Sequence, residues 1–133
     1  MSVASPIRVI ELDHVVIRCR DQGRMLAFYT DVLGLAVERR LEAIGLVQLR
    51  AGRSMIDLVP GAPSGFDGAN MDHVCLVIEP VAIDRVLHFL SERGVETVGE
   101  PAIRYGATGY GTSVYVRDPE GNIVELKAQN DAV

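Results

Sequence analysis

Histidines and acidic residues recur at corresponding positions in the two halves of the chain. His14 is the third residue of LDHVVI, and His73 is the third residue of MDHVCLVI. Asp57 and Glu125 align near the ends of VQLRAGRSMIDLV and SVYVRDPEGNIVELK. Imidazole nitrogens and carboxylate oxygens are common ligands of divalent metals. A pseudo-twofold relation between the halves would bring these four side chains together, so we predict a divalent-metal site.

Each of these residues also has a less specific interpretation. A single histidine on an apolar strand is more often a structural or surface residue than a ligand. The recurrence of two histidines favours a site, and so does Glu125 within the apolar run NIVELK, where an unpaired buried charge is costly. His88 has no counterpart in the first half and lies off the apolar stripe of its helix. We therefore predict that His88 is a solvated surface residue.

A helical pattern follows each histidine segment. The first helix is predicted over about residues 21–33 and the second over about residues 81–93, since apolar residues repeat there with helical spacing. Asp21 is a suitable N-cap for the first helix, and Gly34 and Gly94 follow the two helices as stop signals. Strand patterns surround both helices, so each half reads β-α-β-β-β.

Turn sequences define the organisation of the chain. RAGR at 50–53 and DPEG at 118–121 predict hairpin turns between alternating strands. The stretch 60–70, rich in Pro, Gly and small residues, connects a first module at 8–59 to a second at 71–128. We predict one α+β domain over the whole chain. Its two βαβββ modules form a cupped, barrel-like mixed sheet with the helices outside.

Length and composition exclude several classes of protein. A chain of 133 residues is too short for a two-domain enzyme with separate cofactor and substrate lobes. The net charge of −5 and the lack of a basic run argue against nucleic acid and anionic membranes as partners. There is no leader pattern and no apolar run of roughly 20 residues, so we expect a cytoplasmic protein. Cys19 and Cys75 lie in apolar strands, and we expect both to be buried free thiols.

These motifs carry a family resemblance. The succession DHVVI, MLAFYTDVLGL, DHVCLVI and SVYVRDPEGNIVEL resembles the vicinal oxygen chelate superfamily of glyoxalases, bleomycin-resistance proteins and extradiol dioxygenases. The likeness covers about residues 8–128, and the second half is most similar to small glyoxalase-domain-containing, biphenyl-diol-dioxygenase-related proteins. It implies one divalent ion (Ni, Zn, Co, Mn or Fe) bound by His14, His73 and Glu125.

Asp57 departs from the pattern of glyoxalase I-like lyases, which usually have Glu at this position. The shorter Asp57 side chain either binds the metal directly, holds a metal-bound water or hydrogen-bonds a ligand histidine. The resemblance further implies a homodimer that binds a small-molecule substrate. In such a dimer His14 and Asp57 come from one subunit and His73 and Glu125 from the other, unless the modules pair within one chain.

Three functions remain open at this point. In a metal-dependent isomerase or lyase of glyoxalase type, the ion chelates two adjacent substrate oxygens and a carboxylate, Glu125 or Asp57, moves a proton. In an Fe(II) extradiol dioxygenase that cleaves catechol rings, Tyr115 matches the family's tyrosine, although no His occupies the position of Asp57. A metal-free binding or resistance module would hold a small molecule in the same cup.

Three further side chains are candidates for substrate binding. Tyr115 lies ten residues before Glu125 and should be close to the metal, and Gln48 is its repeat partner. The segment from Arg104 to Ser113 contains three glycines and is predicted to be a loop. It is either a mobile lid, a segment that directs backbone N–H groups and Arg104 toward an anionic group of the substrate, or a flexible connection between two strands. A plain structural role is the alternative for Gln48.

Overall fold

The computed structural model describes residues 10–61, 71 and 73–129. The first module contains β1 (His14–Cys19), α1 (Gln22–Ala27), a π-helical turn (Phe28–Val32), β2 (Ala36–Leu41), a 3-10 turn (Glu42–Ile44), β3 (Leu46–Ala51) and β4 (Ser54–Pro60). The second contains β5 (His73–Ile78), α2 (Ile83–Glu92), β6 (Ala102–Gly106), β7 (Gly109–Arg117) and β8 (Ile123–Gln129). This order confirms the predicted α+β fold of two βαβββ units. Residues 62–70 of the predicted connector lie outside the described part of the chain.

The strands form two four-stranded mixed sheets. Their orders are β1-β4-β3-β2 and β5-β8-β7-β6, so the two sheets have the same topology. The outer pairs β1/β4 and β5/β8 are parallel, whereas the remaining pairs are antiparallel. Within the described residues the sheets are not joined by strand pairing and do not close into a barrel. Each of β1 and β5 therefore pairs along one edge only.

Strand register places the candidate residues on one face of each sheet. Directly paired residues share a face, and so do alternate residues of a strand. We call these two surfaces the site faces. The first carries His14, Val16, Gln48 and Asp57, and the second carries His73, Cys75, Tyr115 and Glu125.

The opposite faces of the two sheets contribute to one hydrophobic core. The buried members of this core include Ile17, Leu49 and Leu58 from the first sheet, Val116 and Val124 from the second, and Met25, Tyr29 and Leu90 from the helical segments. Each such apolar side chain contributes roughly 1.5–3 kcal/mol by leaving water. The core therefore joins the modules and leaves both site faces outside it.

The first helical segment lies where the sequence predicts it, since α1 and the π-helical turn together cover residues 22–32, whereas α2 is shorter than predicted. Asp21 caps α1 as expected, because its side chain accepts a 3.0 Å hydrogen bond from the Arg24 N–H. After Ala27 the chain widens into the π-helical turn, which lets the adjacent Phe28 and Tyr29 both reach the core. The second helix begins only at Ile83, because the preceding residue is extended. In the described parts of the chain, neither helix has the length and apolar content to cross a bilayer.

The turn between β7 and β8 links the modules. The hydroxyl of Tyr29 donates a 2.9 Å hydrogen bond to Oδ2 of the buried Asp118. The carboxylate of Glu120 accepts hydrogen bonds from the backbone N–H groups of Arg20 and Asp21, just before α1. We call these contacts the intermodule latch. The sequence predicted the turn, and the structure adds its contact with the other module.

Replacing Tyr29 with Phe removes the hydroxyl of the latch. Because the hydrogen bond is buried and its acceptor is charged, we expect the free energy of unfolding to fall by roughly 1–3 kcal/mol, measured by urea denaturation. Tyr105→Phe is the matched control, since Tyr105 is 74% exposed. Equal stability of the two variants would contradict a stabilising latch.

Candidate functional site

The second module brings His73 and Glu125 together. Glu125 is only 6% exposed, although its neighbours in β8 include the buried apolar residues Val124 and Leu126. Its Oε1 atom lies 3.3 Å from Nε2 of His73, and its Oε2 atom accepts a 2.7 Å hydrogen bond from the Ser113 hydroxyl. Strand alternation directs Glu125 away from the core and toward the site face. Ser113 thus fixes one carboxylate oxygen and leaves the other beside an imidazole.

The first module holds Asp57 close to His14. Asp57 is 4% exposed, and its Oδ2 accepts a 3.2 Å hydrogen bond from Gln48 Nε2. Its Oδ1 is buried and has no hydrogen-bond partner among the described residues. A buried carboxylate oxygen without a donor is unfavourable, and a cation or a proton relieves that cost. Gln48 therefore orients Asp57 and leaves one oxygen for a further ligand.

The ionisation of His14 reflects its acidic surroundings. The pKa of His14 is raised above 6.5, chiefly because Nδ1 donates a 2.7 Å hydrogen bond to Asp13 Oδ1. Partial desolvation opposes this rise, and the negative charge of Asp57 adds to it. Asp57 pairs with Val16, which lies two residues after His14 on the same face of the sheet. The negative charge of Asp57 is therefore close enough to stabilise a protonated His14.

Within one chain, the four predicted ligands form two pairs. Among the described residues, no three His, Cys, Asp or Glu side chains are arranged to hold one metal ion. His14 and His73 both border a cavity of about 980 Å³, whose other walls are largely apolar side chains of β5, α2, residues 32–35 and the hairpin between β3 and β4. We call His14 with Asp57 the first half-site and His73 with Glu125 the second.

Tyr115 and Arg104 extend the second half-site. The Tyr115 ring packs edge-on against the His73 ring, with centroids 6.2 Å apart. Arg104 Nε donates a 2.9 Å hydrogen bond to the Tyr115 hydroxyl, whose own hydrogen remains available for donation. The segment from Arg104 to Ser113 is strand for most of its length, because β6 and β7 form a hairpin there. It is not a loop, as the glycines suggested.

Lys127 is a site-face residue that the sequence analysis did not identify. It is 2% exposed, and its ammonium group donates a 2.6 Å hydrogen bond to the carbonyl of Gly109. Gly111 makes this possible, because a Cβ there would lie 2.5 Å from the Ala128 carbonyl oxygen and 3.1 Å from Lys127 Cγ. The alternation of VELK could have indicated that Lys127 shares the face of Glu125, but lysine is seldom buried.

Two predictions about single side chains have opposite outcomes. His88 is a surface residue as predicted, since its side chain is 75% exposed and pairs with Glu92 at 2.8 Å. Cys19 is a buried free thiol, but the prediction for Cys75 was wrong, because this free thiol is exposed. Cys75 belongs to an edge strand whose site face is open. Partial desolvation, together with Glu125, raises the pKa of Cys75 to about 11.

Comparison with known proteins places the chain among glyoxalase-like proteins. The profile of the Glyoxalase/Bleomycin resistance protein/Dioxygenase superfamily matches residues 11–126. A glyoxalase domain-containing protein of Mycosarcoma maydis is 34% identical over 131 residues, which are 95% of this chain and 72% of that protein. These matches span both modules and both half-sites.

Solved structures share the fold. The crystal structure of a virulence protein from Salmonella typhimurium has a TM-score of 0.77 and 25% identity, covering 93% of this chain and 100% of that one. Lactoylglutathione lyase from Agrobacterium tumefaciens has a TM-score of 0.66 and 24% identity, covering 93% and 96% of the two chains. At its level of identity, the likeness to the lyase shows the fold alone.

Replacing Asp13 with Asn tests the electrostatics of the first half-site. We expect the pKa of His14 in the metal-free protein to fall, because the imidazolium loses its charged acceptor, as measured by NMR titration. The raised pKa stabilises the fold below the unfolded-state pKa of histidine, and this contribution is lost as the pH rises through the folded-state value. Glu11→Gln is the control with the same change of charge, and an equal shift there would refute the local interaction.

Proposed function

The chain belongs to the Glyoxalase/Bleomycin resistance protein/Dioxygenase superfamily, and from this membership we propose that it is a divalent-metal-dependent isomerase or lyase of glyoxalase type. The observation that carries this proposal is the buried, oriented carboxylate of Glu125 lying 3.3 Å from His73. The substrate is a small molecule with two adjacent oxygens.

The residues present fit a divalent transition metal. His14 and His73 offer imidazole nitrogens and Glu125 a carboxylate, which is a common ligand set for such ions. Asp57 completes the set, because its buried Oδ1 has no donor among the described residues and a cation would satisfy it. When bound, the ion supplies a Lewis acid that stabilises negative charge on the two substrate oxygens.

The two carboxylates are prepared for proton transfer by their neighbours. Gln48 fixes Oδ2 of Asp57 and Ser113 fixes Oε2 of Glu125, so each carboxylate keeps one oxygen for the cation or a substrate proton. Asp57 is the preferred base, because its remaining oxygen lacks any donor among the described residues. Gln48 acts here as a positioning residue.

Tyr115 is the proposed hydrogen-bond donor to the substrate. Its hydroxyl accepts a hydrogen bond from Arg104, so its own hydrogen can be donated to a substrate oxygen. The contact between the Tyr115 and His73 rings keeps that hydroxyl on the side of the second half-site. Tyr115 therefore binds the substrate and stabilises charge that develops on oxygen.

We assign the complete site to a homodimer. Each chain supplies two half-sites, and among the described residues β1 and β5, which carry the two histidines, each pair along one edge only. Val16 on β1 and Val77 on β5 are 51% and 45% exposed on the two site faces, so each edge strand carries an exposed apolar side chain. Unprotected strand edges favour association with another strand. Pairing β1 of one subunit with β5 of the other would join His14 and Asp57 to His73 and Glu125.

His73→Ala tests the proposed activity. We expect wild-type protein loaded with Ni, Co, Zn or Mn to convert hemithioacetals or related α-hydroxycarbonyl compounds, and the variant to lose turnover by at least about 100-fold as a ligand disappears. Metal content by mass spectrometry should fall in parallel. His88→Ala is the matched control and should keep both properties.

Two results would contradict this assignment. A metal-loaded wild type that leaves the whole panel unchanged is not a glyoxalase-type enzyme, and ligand binding that survives His14→Ala would then favour the metal-free binding module. Oxygen consumption with a catechol by the iron-loaded protein, without isomerase turnover, would instead identify an extradiol dioxygenase.

A further inference from the structure

We propose that Arg104 binds a carboxylate of the substrate, so that the substrate class is small organic acids whose acid group is separate from the two chelated oxygens. This inference rests on the proposed function, because Tyr115 and His73 connect Arg104 to the candidate metal ligands. Arg104 contacts Tyr115 and forms no ion pair with a carboxylate among the described residues.

Arg104 is a cation of the second site face without a carboxylate partner among the described residues. Arg117 forms an ion pair with Glu96 at 2.9 Å, and the ammonium of Lys127 is bound to the Gly109 carbonyl. No carboxylate among the described residues forms an ion pair with Arg104, although acidic residues exceed basic ones and give the chain a charge of −5. Because no described carboxylate neutralises it, the Arg104 guanidinium is available to attract an anionic ligand.

The guanidinium group is already oriented. Its Nε donates to the Tyr115 hydroxyl at 2.9 Å, and its central carbon lies 5.8 Å from the centre of the Tyr115 ring. Its Nη1 donates only a long 3.4 Å hydrogen bond, to the carbonyl of the adjacent Ile103. Arginine has five N–H donors, and those on Nη2 have no acceptor among the described residues. Two parallel N–H groups of this kind match the oxygens of a carboxylate.

Arg104 is linked to the candidate metal ligands through contacting side chains. Tyr115 contacts Arg104 through its hydroxyl and His73 through its ring, and His73 lies 3.3 Å from Glu125. A molecule chelated beside His73 and Glu125 that extends along Tyr115 therefore reaches the guanidinium at its other end. For this reason the carboxylate is a separate group and not one of the chelating oxygens.

The hairpin that carries Arg104 is held in place by Lys127 of β8. Gly111 is the direct β7 partner of Arg104, and the stem of Lys127 packs where a side chain of Gly111 would lie. The Lys127 ammonium then holds the Gly109 carbonyl at the end of the same hairpin. Two cations at one end of the sheet attract an anion more strongly than either does alone. Lys127 is a positioning residue in this arrangement.

A matched pair of chelating probes tests the proposal. Both 3,4-dihydroxybenzoate and 3,4-dihydroxybenzamide present two adjacent oxygens, but only the benzoate carries a charge at the other end. We expect zinc-loaded wild type to bind the benzoate at least about tenfold more tightly in calorimetric titrations, as one charge-assisted contact allows. In Arg104→Gln the two probes should bind equally, and Arg104→Lys should show an intermediate preference.

The control is Arg50→Gln, which removes the same charge from an arginine that is already paired with Glu38 at 3.1 Å. It should keep the full preference for the benzoate. Equal binding of both probes by wild type, no binding of the benzoate, or a preference that survives Arg104→Gln would overturn the carboxylate assignment while leaving the metal site intact. Failure of wild type to load zinc would instead refute the proposed function, and the assignment would fall with it.

Discussion

Two carboxylates buried in strands are the constraint around which the rest of the site is organised. Asp57 and Glu125 are 4% and 6% exposed, yet each lies in a strand whose neighbours belong to the core. Burying a carboxylate is costly unless donors or cations compensate it. Gln48 and Ser113 compensate one oxygen of each. The remaining oxygens are directed toward the site faces, where a histidine lies in each module.

The fold meets this constraint by separating the two faces of each sheet. Alternation along the strands assigns one face to a core shared by both modules and leaves the other for polar groups. The intermodule latch, in which Tyr29 and Asp118 meet, holds the modules through that core and not through the site faces. The site faces and the edges of β1 and β5 therefore remain accessible for a ligand or a second subunit.

Much of the fold and part of the site follow from the sequence. The repeated histidine segments and the turn signals define the two modules, because periodicity and turn chemistry are local properties. The burial of Glu125 follows from its apolar neighbours in the same strand. The widened turn after Ala27 does not follow, because it depends on packing Phe28 and Tyr29 together into the core. The exposure of Cys75 depends on which strand lies at a sheet edge.

The contacts that give the site its chemistry are the least accessible from sequence. The hydrogen bond between Arg104 and Tyr115 joins different strands of a hairpin, and the burial of Lys127 depends on the missing side chain of Gly111. Such contacts depend on register and on side-chain reach across the sheet, which a linear pattern does not encode. The sequence also does not show how the two half-sites combine, because this depends on whether the modules pair within one chain or between two.

The most direct test of a metal site built from half-sites of two subunits is the metal content of a mixed dimer. One subunit carries His14→Ala and the other carries His73→Ala, and the heterodimer is isolated through different tags. If the half-sites combine across the subunits, one of the two sites is intact, and we predict about one metal ion per heterodimer while each parent homodimer binds almost none. A heterodimer as empty as its parents, or parents that keep their full metal content, would contradict the account.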